Sequence, residues 1–321
     1  MYLEQLIKSY YNIDPMVVKS IPGRMFMKNY VILDKYQKRY FLKTCPTDTS
    51  EILLDFQLVI HELLLNDNFF VPKMLKTQKG ESGFKYQNRV YCCFEYINDD
   101  NLKDYKNFIS DSGEVLACIH KSLDRKNINY PVNPRKDIGT IKRDYMSWLN
   151  NAELNLNDEV DKKLLDIKPI LIDFLKNFEE EKFLGLPKQI IHGDYNLNNV
   201  LTYKGRISGV IDFFNSCFSY RIIDLSEAAL MYFGTNLTNE GWKFNESKQS
   251  TFINAYIKKN TLCKNELDFL PLMLQMCCIS NLYNFTNDYF LYKRLPEAKR
   301  VIGLLTDIIK LNSKNDYRLI L

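Results

Sequence analysis

Three oxygen-bearing side chains in one short stretch have the spacing that phosphoryl chemistry needs. His192-Gly193-Asp194 is followed by Asn199, five residues after the aspartate, and Asp212 comes thirteen residues after that asparagine, at the end of an apolar run. Moving a phosphoryl group takes one carboxylate near the acceptor hydroxyl. It also takes a carboxylate and an amide oxygen to hold Mg2+ on the nucleotide phosphates. An Asp-x4-Asn loop closing on a strand-end Asp supplies all three, and hard magnesium suits oxygen ligands. Nothing softer competes. The eight cysteines form no CxxC, and two pairs, Cys92-Cys93 and Cys277-Cys278, are adjacent. That spacing suits neither a zinc site nor an ordinary disulfide framework. Most lie among Leu, Ile, Phe and Met, so they are expected to be reduced, buried thiols of a cytoplasmic protein.

The elements that must position these groups can be read around them. Asp194, Asn199 and Asp212 sit in a non-helical island, Lys188 to Phe214 (KQIIHGDYNLNNVLTYKGRISGVIDFF). Its apolar triplets bracket a Lys-Gly turn and predict short strands with polar residues at their ends. Upstream, Tyr30 to Lys43 reads as two strands around a turn at Asp34 to Lys38. Ser50 to Asn66 has helical spacing behind a Ser cap. A return strand at Val71 to Thr77 and a buried strand at Arg89 to Ile97 complete the order strand, strand, helix, strand, strand. Beyond Asn98 the pattern turns helical: Asp111 to Leu123, Ile141 to Leu156, and Val160 to Phe183 with an interruption at Pro169. After Asp224 the chain reads as helix almost to its end. His61 and His120 lie on helix faces as packing or surface residues, and Asp224 itself reads as an N-cap.

Composition narrows the field. The chain has 321 residues, 46% apolar and 26% charged, which excludes a disordered or fibrous protein. A net charge of +4, evenly spread, gives no reason to expect a nucleic-acid partner. The longest nearly apolar stretch, Phe269 to Ile279, falls short of the ~20 residues a membrane helix needs, and no membrane partner is expected.

HGDYNLNN followed by GVIDF resembles the catalytic and metal-binding motifs of the aminoglycoside phosphotransferase-like kinases. That superfamily includes choline, homoserine and methylthioribose kinases and spore-coat kinase-like proteins. SYRIIDLSEAA is similar to its D-L-A segment, and LACIHKSL to its L-A-x-x-H. The resemblance implies an α+β, protein kinase-like, two-lobed fold. A small antiparallel-sheet N-lobe would span residues 1–97 and a larger, mainly helical C-lobe 98–321, with the nucleotide in the cleft between them. It implies Asp194 as the base or orienting carboxylate, and Asn199 and Asp212 as Mg2+ ligands. His192 would brace the loop and Asp224 would anchor it to the following helix. Lys43, ending YFLK, would meet the phosphates of ATP, and the backbone amides of Glu95, Tyr96 and Ile97 would meet the adenine. The acceptor would be a hydroxyl of a small polar metabolite or an aminoglycoside-like antibiotic.

Two features depart from the family pattern. Where the family carries a glutamate that pairs with the lysine, this chain has Gln57. The available acids are Glu51 and Glu62, and Glu62 lies about 140° away round a helix of 3.6 residues per turn. The nucleotide-covering loop, IPGRMFMKN, has a single glycine, Gly23. Gln57, with the absence of a clear substrate-selecting motif, motivates the alternative of an inactive kinase-fold binding or structural protein, like some coat-associated relatives. A protein-serine kinase fits less well, because FFNSC follows the island's last aspartate and no A-P-E-type segment comes after it.

Overall fold

A seven-residue strand that is apolar on both faces organises the N-terminal region. In Arg89–Glu95 (RVYCCFE), Tyr91 and Cys93 pack with Leu6, Ile7, Ile32, Leu42 and Phe84. Val90, Cys92 and Phe94 pack into a second cluster with Cys45, Leu54, Leu58 and Met74. Successive strand side chains point to opposite faces, so this run belongs in a sheet covered on both sides. It also sends the adjacent thiols of Cys92 and Cys93 apart. All eight cysteines are free, and burial pushes the Cys93 thiol up to about 12.

The computed structural model describes residues 3–22, 28–45, 48–124, 138–151, 158–238, 241–291 and 296–314. Its elements begin with α1 (Leu3–Tyr11), β1 (Pro15–Pro22), β2 (Lys28–Asp34), β3 (Arg39–Cys45) and α2 (Glu51–Asn66). Then come β4 (Met74–Leu75), β5 (Phe84–Tyr86), β6 (Arg89–Glu95), α3 (Phe108–Leu123), α4 (Ile138–Asn151) and α5 (Glu159–Asn177). The island contributes β7 (Lys188–Ile191), β8 (Val200–Thr202) and β9 (Ile207–Val210), followed by β10 (Cys217–Tyr220) and α6 (Arg221–Ala228). The rest comprises a π-helical turn (Ala229–Phe233), β11 (Thr235–Thr238), β12 (Gly241–Phe244), α7 (Glu246–Lys259), α8 (Lys264–Leu291) and α9 (Pro296–Lys314).

The contacts divide the chain into two compact units. One holds the described residues up to Tyr105 together with Asn198–Phe214. Its antiparallel sheet runs β1-β2-β3-β6-β4, with β5 also on β6. Helix α1 supplies Leu6, Ile7 and Tyr11 to one face and α2 supplies Leu54 and Leu58 to the other. Ser50 caps α2, its Oγ accepting the Leu53 N–H at 3.2 Å. The sequence order lacked α1, β1 and β5, and the return strand shrinks to Met74–Leu75. Strand β1 carries a proline at each end and, among the described residues, pairs only with β2, a sheet-edge position where prolines, which weaken the strand signal, are tolerated.

The other unit holds Lys106–Asp124, the described residues from 138 to Leu197, and Asn215 onward. Helices α3 and α7 cross closely at Gly113, where a Cβ would lie 2.3 Å from the Phe252 carbonyl. Phe233 and Phe252 stack beside this crossing at 4.6 Å between ring centroids. Two expectations are corrected. Helix α5 runs through Pro169 without a break. Pro169 is exposed, so the carbonyl that loses its helical bond can be hydrated. The stretch after Asp224 is not continuously helical, because β11 and β12 pair there as an antiparallel ladder. Of the expected helix Ile141 to Leu156, residues 152–157 lie outside the described residues. Among the described residues no helix is long and apolar enough to cross a membrane.

Candidate active site

The island folds as its apolar triplets predict. Strands β8 and β9 pair antiparallel with Val200 opposite Val210, and the Ile211 N–H adds a further rung to the Asn199 carbonyl at 2.9 Å. Asn199 and Asp212 therefore flank the same end of one hairpin. Asn199 is buried, and the Asp212 side chain is 29% exposed. Together they offer two oxygen donors of the kind Mg2+ prefers, leaving further positions for phosphate oxygens and water. Among the described residues no group of three or more His, Cys, Asp or Glu side chains is placed to hold a metal.

Lys43 reaches Asp212 across the first unit, Nζ to Oδ1 at 2.6 Å, with its ammonium 4.1 Å from the centre of the Phe214 ring. Strand alternation accounts for this direction. Cys45, two residues on, belongs to the α2-facing cluster, and Lys43 shares its face. The two acids weighed as lysine partners do not fill that role: Glu62 pairs with Lys76 at 3.4 Å, and Glu51 is exposed. Gln57 is fully buried and donates from Nε2 to the Phe213 carbonyl at 2.6 Å. Asp212 adopts a left-handed backbone, φ 67°, which costs an L-residue about 1–2 kcal/mol unless its neighbours hold it there.

Of the three backbone amides expected to meet the adenine, two are already used. Glu95 N–H donates to Lys73 O at 2.8 Å and Tyr96 N–H to Arg39 O at 3.2 Å. Ile97 N–H has no partner among the described residues. Residues 23–27 of the covering loop, Gly23 included, lie outside the described residues.

In the second unit the His192-Gly193-Asp194 loop is built around a carboxylate. Gly193 has φ +77°, and a Cβ there would fall 2.1 Å from the Asn215 carbonyl, so only glycine fits. This turn aims two successive N–H groups inward. His192 N–H donates to Asp224 Oδ2 at 2.9 Å and Gly193 N–H to Asp224 Oδ1 at 3.0 Å. Such a pair of amides forms a nest suited to an anion. Asp224 is not a helix cap. It lies inside α6, whose N-cap is Tyr220, because β10 extends up to that residue. The Asp194 N–H donates to Nδ1 of buried His192 at 3.2 Å. The Asp194 carboxylate accepts from Asn196 Nδ2 on Oδ1 at 2.8 Å and from Asn215 Nδ2 on Oδ2 at 3.5 Å.

His120 is more than a packing residue. Fully buried on α3, its Nε2 donates to Asp224 Oδ2 at 3.0 Å. That assigns its Nδ1 as the acceptor from the Tyr256 hydroxyl at 2.7 Å. Burial pushes the Tyr256 phenol well above its usual range, so it remains a donor. Asn215 and Tyr256 carried no local sequence signal. Each acts through a contact between segments far apart in the chain.

With this geometry in place, the comparisons with known proteins are informative. The homoserine kinase of Zymomonas mobilis subsp. mobilis is 26% identical over 216 residues, 65% of this chain and 62% of that protein. The chain thus spans about three fifths of that relative's length. The homoserine kinase of Pseudomonas aeruginosa (strain LESB58) is 19% identical over 227 residues, 70% of this chain and 67% of that one. Among solved structures, an amicoumacin kinase in complex with AMP-PNP and Ca2+ superposes with a TM-score of 0.69 at 14% identity, covering 97% of this chain and 94% of its own. A microcompartment-associated aminopropanol kinase gives 0.69 at 16% identity, covering 98% of each chain. These structures show the α+β kinase-like fold, with its antiparallel sheet in the N-terminal region and helices in the remainder, as the motifs implied. A model of the phosphotransferase enzyme family matches residues 23–245, more than half of the chain, and the chain belongs to that family of aminoglycoside phosphotransferase-like kinases.

Proposed function

We propose that the protein is an ATP-dependent kinase that phosphorylates a hydroxyl of a small amino alcohol or hydroxy amino acid. The observation that carries this is the joint position of Lys43, Asn199 and Asp212. A strand-borne ammonium contacts the carboxylate at the end of the same hairpin that carries the amide. The acceptor class comes from the relatives, since homoserine and aminopropanol are the substrates their names state. Both carry a free hydroxyl and an amine.

In this reading Asn199 and Asp212 hold Mg2+, which when bound neutralises charge on the nucleotide phosphates. Lys43 holds the phosphates, and Ile97 supplies the backbone donor for the adenine. Asp194 orients the acceptor hydroxyl and takes its proton. Its carboxylate is kept in register by Asn196 and by the His192 contact to its own N–H. With little covalent work for the protein to do, positioning and charge neutralisation provide the rate.

The test is ADP release over a panel of amino alcohols, hydroxy amino acids and aminoglycosides, run beside a thermal titration with Mg·ATP. Asp194→Ala is expected to lower kcat by at least about 100-fold while keeping the stabilisation by Mg·ATP. Full turnover in that variant would overturn the assignment. If nucleotide with Mg2+ gave no stabilisation up to millimolar, the inactive kinase-fold alternative would be favoured, because a ligand bound only to the native state must raise its stability.

A further inference from the structure

Helix α2 grips the residue after Asp212 in two ways. Gln57 and His61, one turn apart, project from the same helix face. The Gln57 amide donates to the Phe213 carbonyl at 2.6 Å. The His61 ring meets the Phe213 ring edge-on at 5.3 Å between centroids. That imidazole is itself fixed: Nδ1 donates to the Pro72 carbonyl at 2.6 Å, and Phe94 of β6 packs on it at 5.3 Å. Gln57 and Phe213 are both 0% exposed. So the backbone immediately after the left-handed Asp212 is pinned by its carbonyl and by its ring.

The chemistry of position 57 calls for a donor. A carbonyl can only accept, so the amide nitrogen must face Phe213, and an ionised glutamate there would set oxygen against oxygen. The other end of the amide, Oε1, is buried and has no partner among the described residues. Among those residues Gln57 is held through its donor end. Lys43, meanwhile, pairs with Asp212.

We infer that Gln57, backed by His61, is a positioning residue for Asp212. It holds Phe213 so that the aspartate keeps the backbone a metal ligand needs, while among the described residues Lys43 pairs with Asp212 and with no glutamate. This rests on reading Asp212 as a magnesium ligand. Anchoring of the loop and use of the loop can nevertheless be measured separately.

The experiment compares wild type with Gln57→Met, which keeps the shape and loses the donor, and Gln57→Glu, which restores the family's acid. Amide hydrogen exchange over residues 211–215 is followed in nucleotide-free protein. The Mg2+ midpoint of the thermal stabilisation by ADP, and the KM for the acceptor, are measured alongside. Both variants are expected to exchange about tenfold faster over that segment and to need about tenfold more Mg2+, with the acceptor KM unchanged. Unchanged exchange in both variants would overturn the inference, as would a lower Mg2+ midpoint in Gln57→Glu than in wild type. Should the methionine variant fail to fold, the glutamate variant gives the same readouts. If wild type shows no Mg·nucleotide binding, the functional reading fails, while the exchange data still decide whether Gln57 anchors the loop.

Discussion

The two loops that carry the candidate chemistry are secured by opposite means. The Asp194 loop, in the second unit, turns N–H groups inward and is held by an acid: Asp224 accepts from His192, Gly193 and His120. The Asp212 loop, in the first unit, turns a carbonyl inward and is held by an amide, Gln57. The difference follows from which end of the peptide each loop presents. A left-handed Gly193 aligns successive donors into an anion nest, whereas the anchored residue after Asp212 offers an acceptor. A buried N–H left without a partner is rarer than a carbonyl left short of one, whose two lone pairs give it a second chance at a partner. The two anchors should therefore differ in weight.

The largest expected effect tests that asymmetry. Asp224→Ala strands three donors in a site that is 1% exposed. It should cost about 3–5 kcal/mol of folding stability and abolish turnover with it. Gln57→Met strands one acceptor and should cost about 1–2 kcal/mol. Urea unfolding of the two variants under one set of conditions decides the matter. Equal losses would mean that the acid holds the Asp194 loop no more firmly than the amide holds the Asp212 loop.

A smaller effect lies further from the loop. Arg221 clamps Glu266 with two bonds, Nε to Oε1 at 2.7 Å and Nη2 to Oε2 at 2.6 Å, and reaches Asn260 Oδ1 at 3.0 Å. Burial alone would raise the Glu266 carboxyl. The Arg221 guanidinium and the Cys263 N–H outweigh it and hold the group below its usual range. A carboxyl whose folded pKa lies below its unfolded value contributes stability above the unfolded value, and that stability is lost as pH falls through the folded one. Wild type should therefore lose stability progressively below about pH 4.5. Glu266→Gln should cost about 2 kcal/mol at neutral pH, flatten that acid limb and leave kcat close to wild type. A steep acid limb surviving in the variant would place its origin elsewhere.

How much of this was legible in the sequence depends on the range of each contact. Asn199 and Asp212 are separated by one hairpin, so alternation and a Lys-Gly turn were enough to place them at the same end. Strand β6 and the capped helix α2 were read from local pattern for the same reason. The partner of Lys43 lies 169 residues away, and His120 meets Asp224 over 104 residues. Periodicity carries no information about such pairs, so His120 read as a packing or surface residue, and the local pattern gave Asp224 only as a cap while its anchoring of the loop came from the family resemblance. Gln57 was visible as an oddity where the family has an acid. Its donor role appears only once Phe213 is placed against it.

The smallest effect belongs to the end of the buried chain. Tyr256→Phe keeps the ring, which stands edge-on to His120 at 5.5 Å, and removes only the hydroxyl that donates to Nδ1. One imidazole acceptor is then unpaired, at a cost of about 1 kcal/mol. Asp224 still requires a proton on Nε2, so the tautomer should not change. Nitrogen-15 shifts of His120 read this directly, and the Asp194 loop should keep its wild-type hydrogen-exchange protection. If the hydroxyl's removal instead moved the proton to Nδ1 and loosened the loop as far as Asp224→Ala does, the acid would not hold the two N–H groups on its own. The loop would then be held by a cooperative chain running from Asp224 through His120 to Tyr256, and the contrast with the Gln57 amide that anchors the Asp212 loop beside the His61 ring would become one of network size rather than of donor against acceptor.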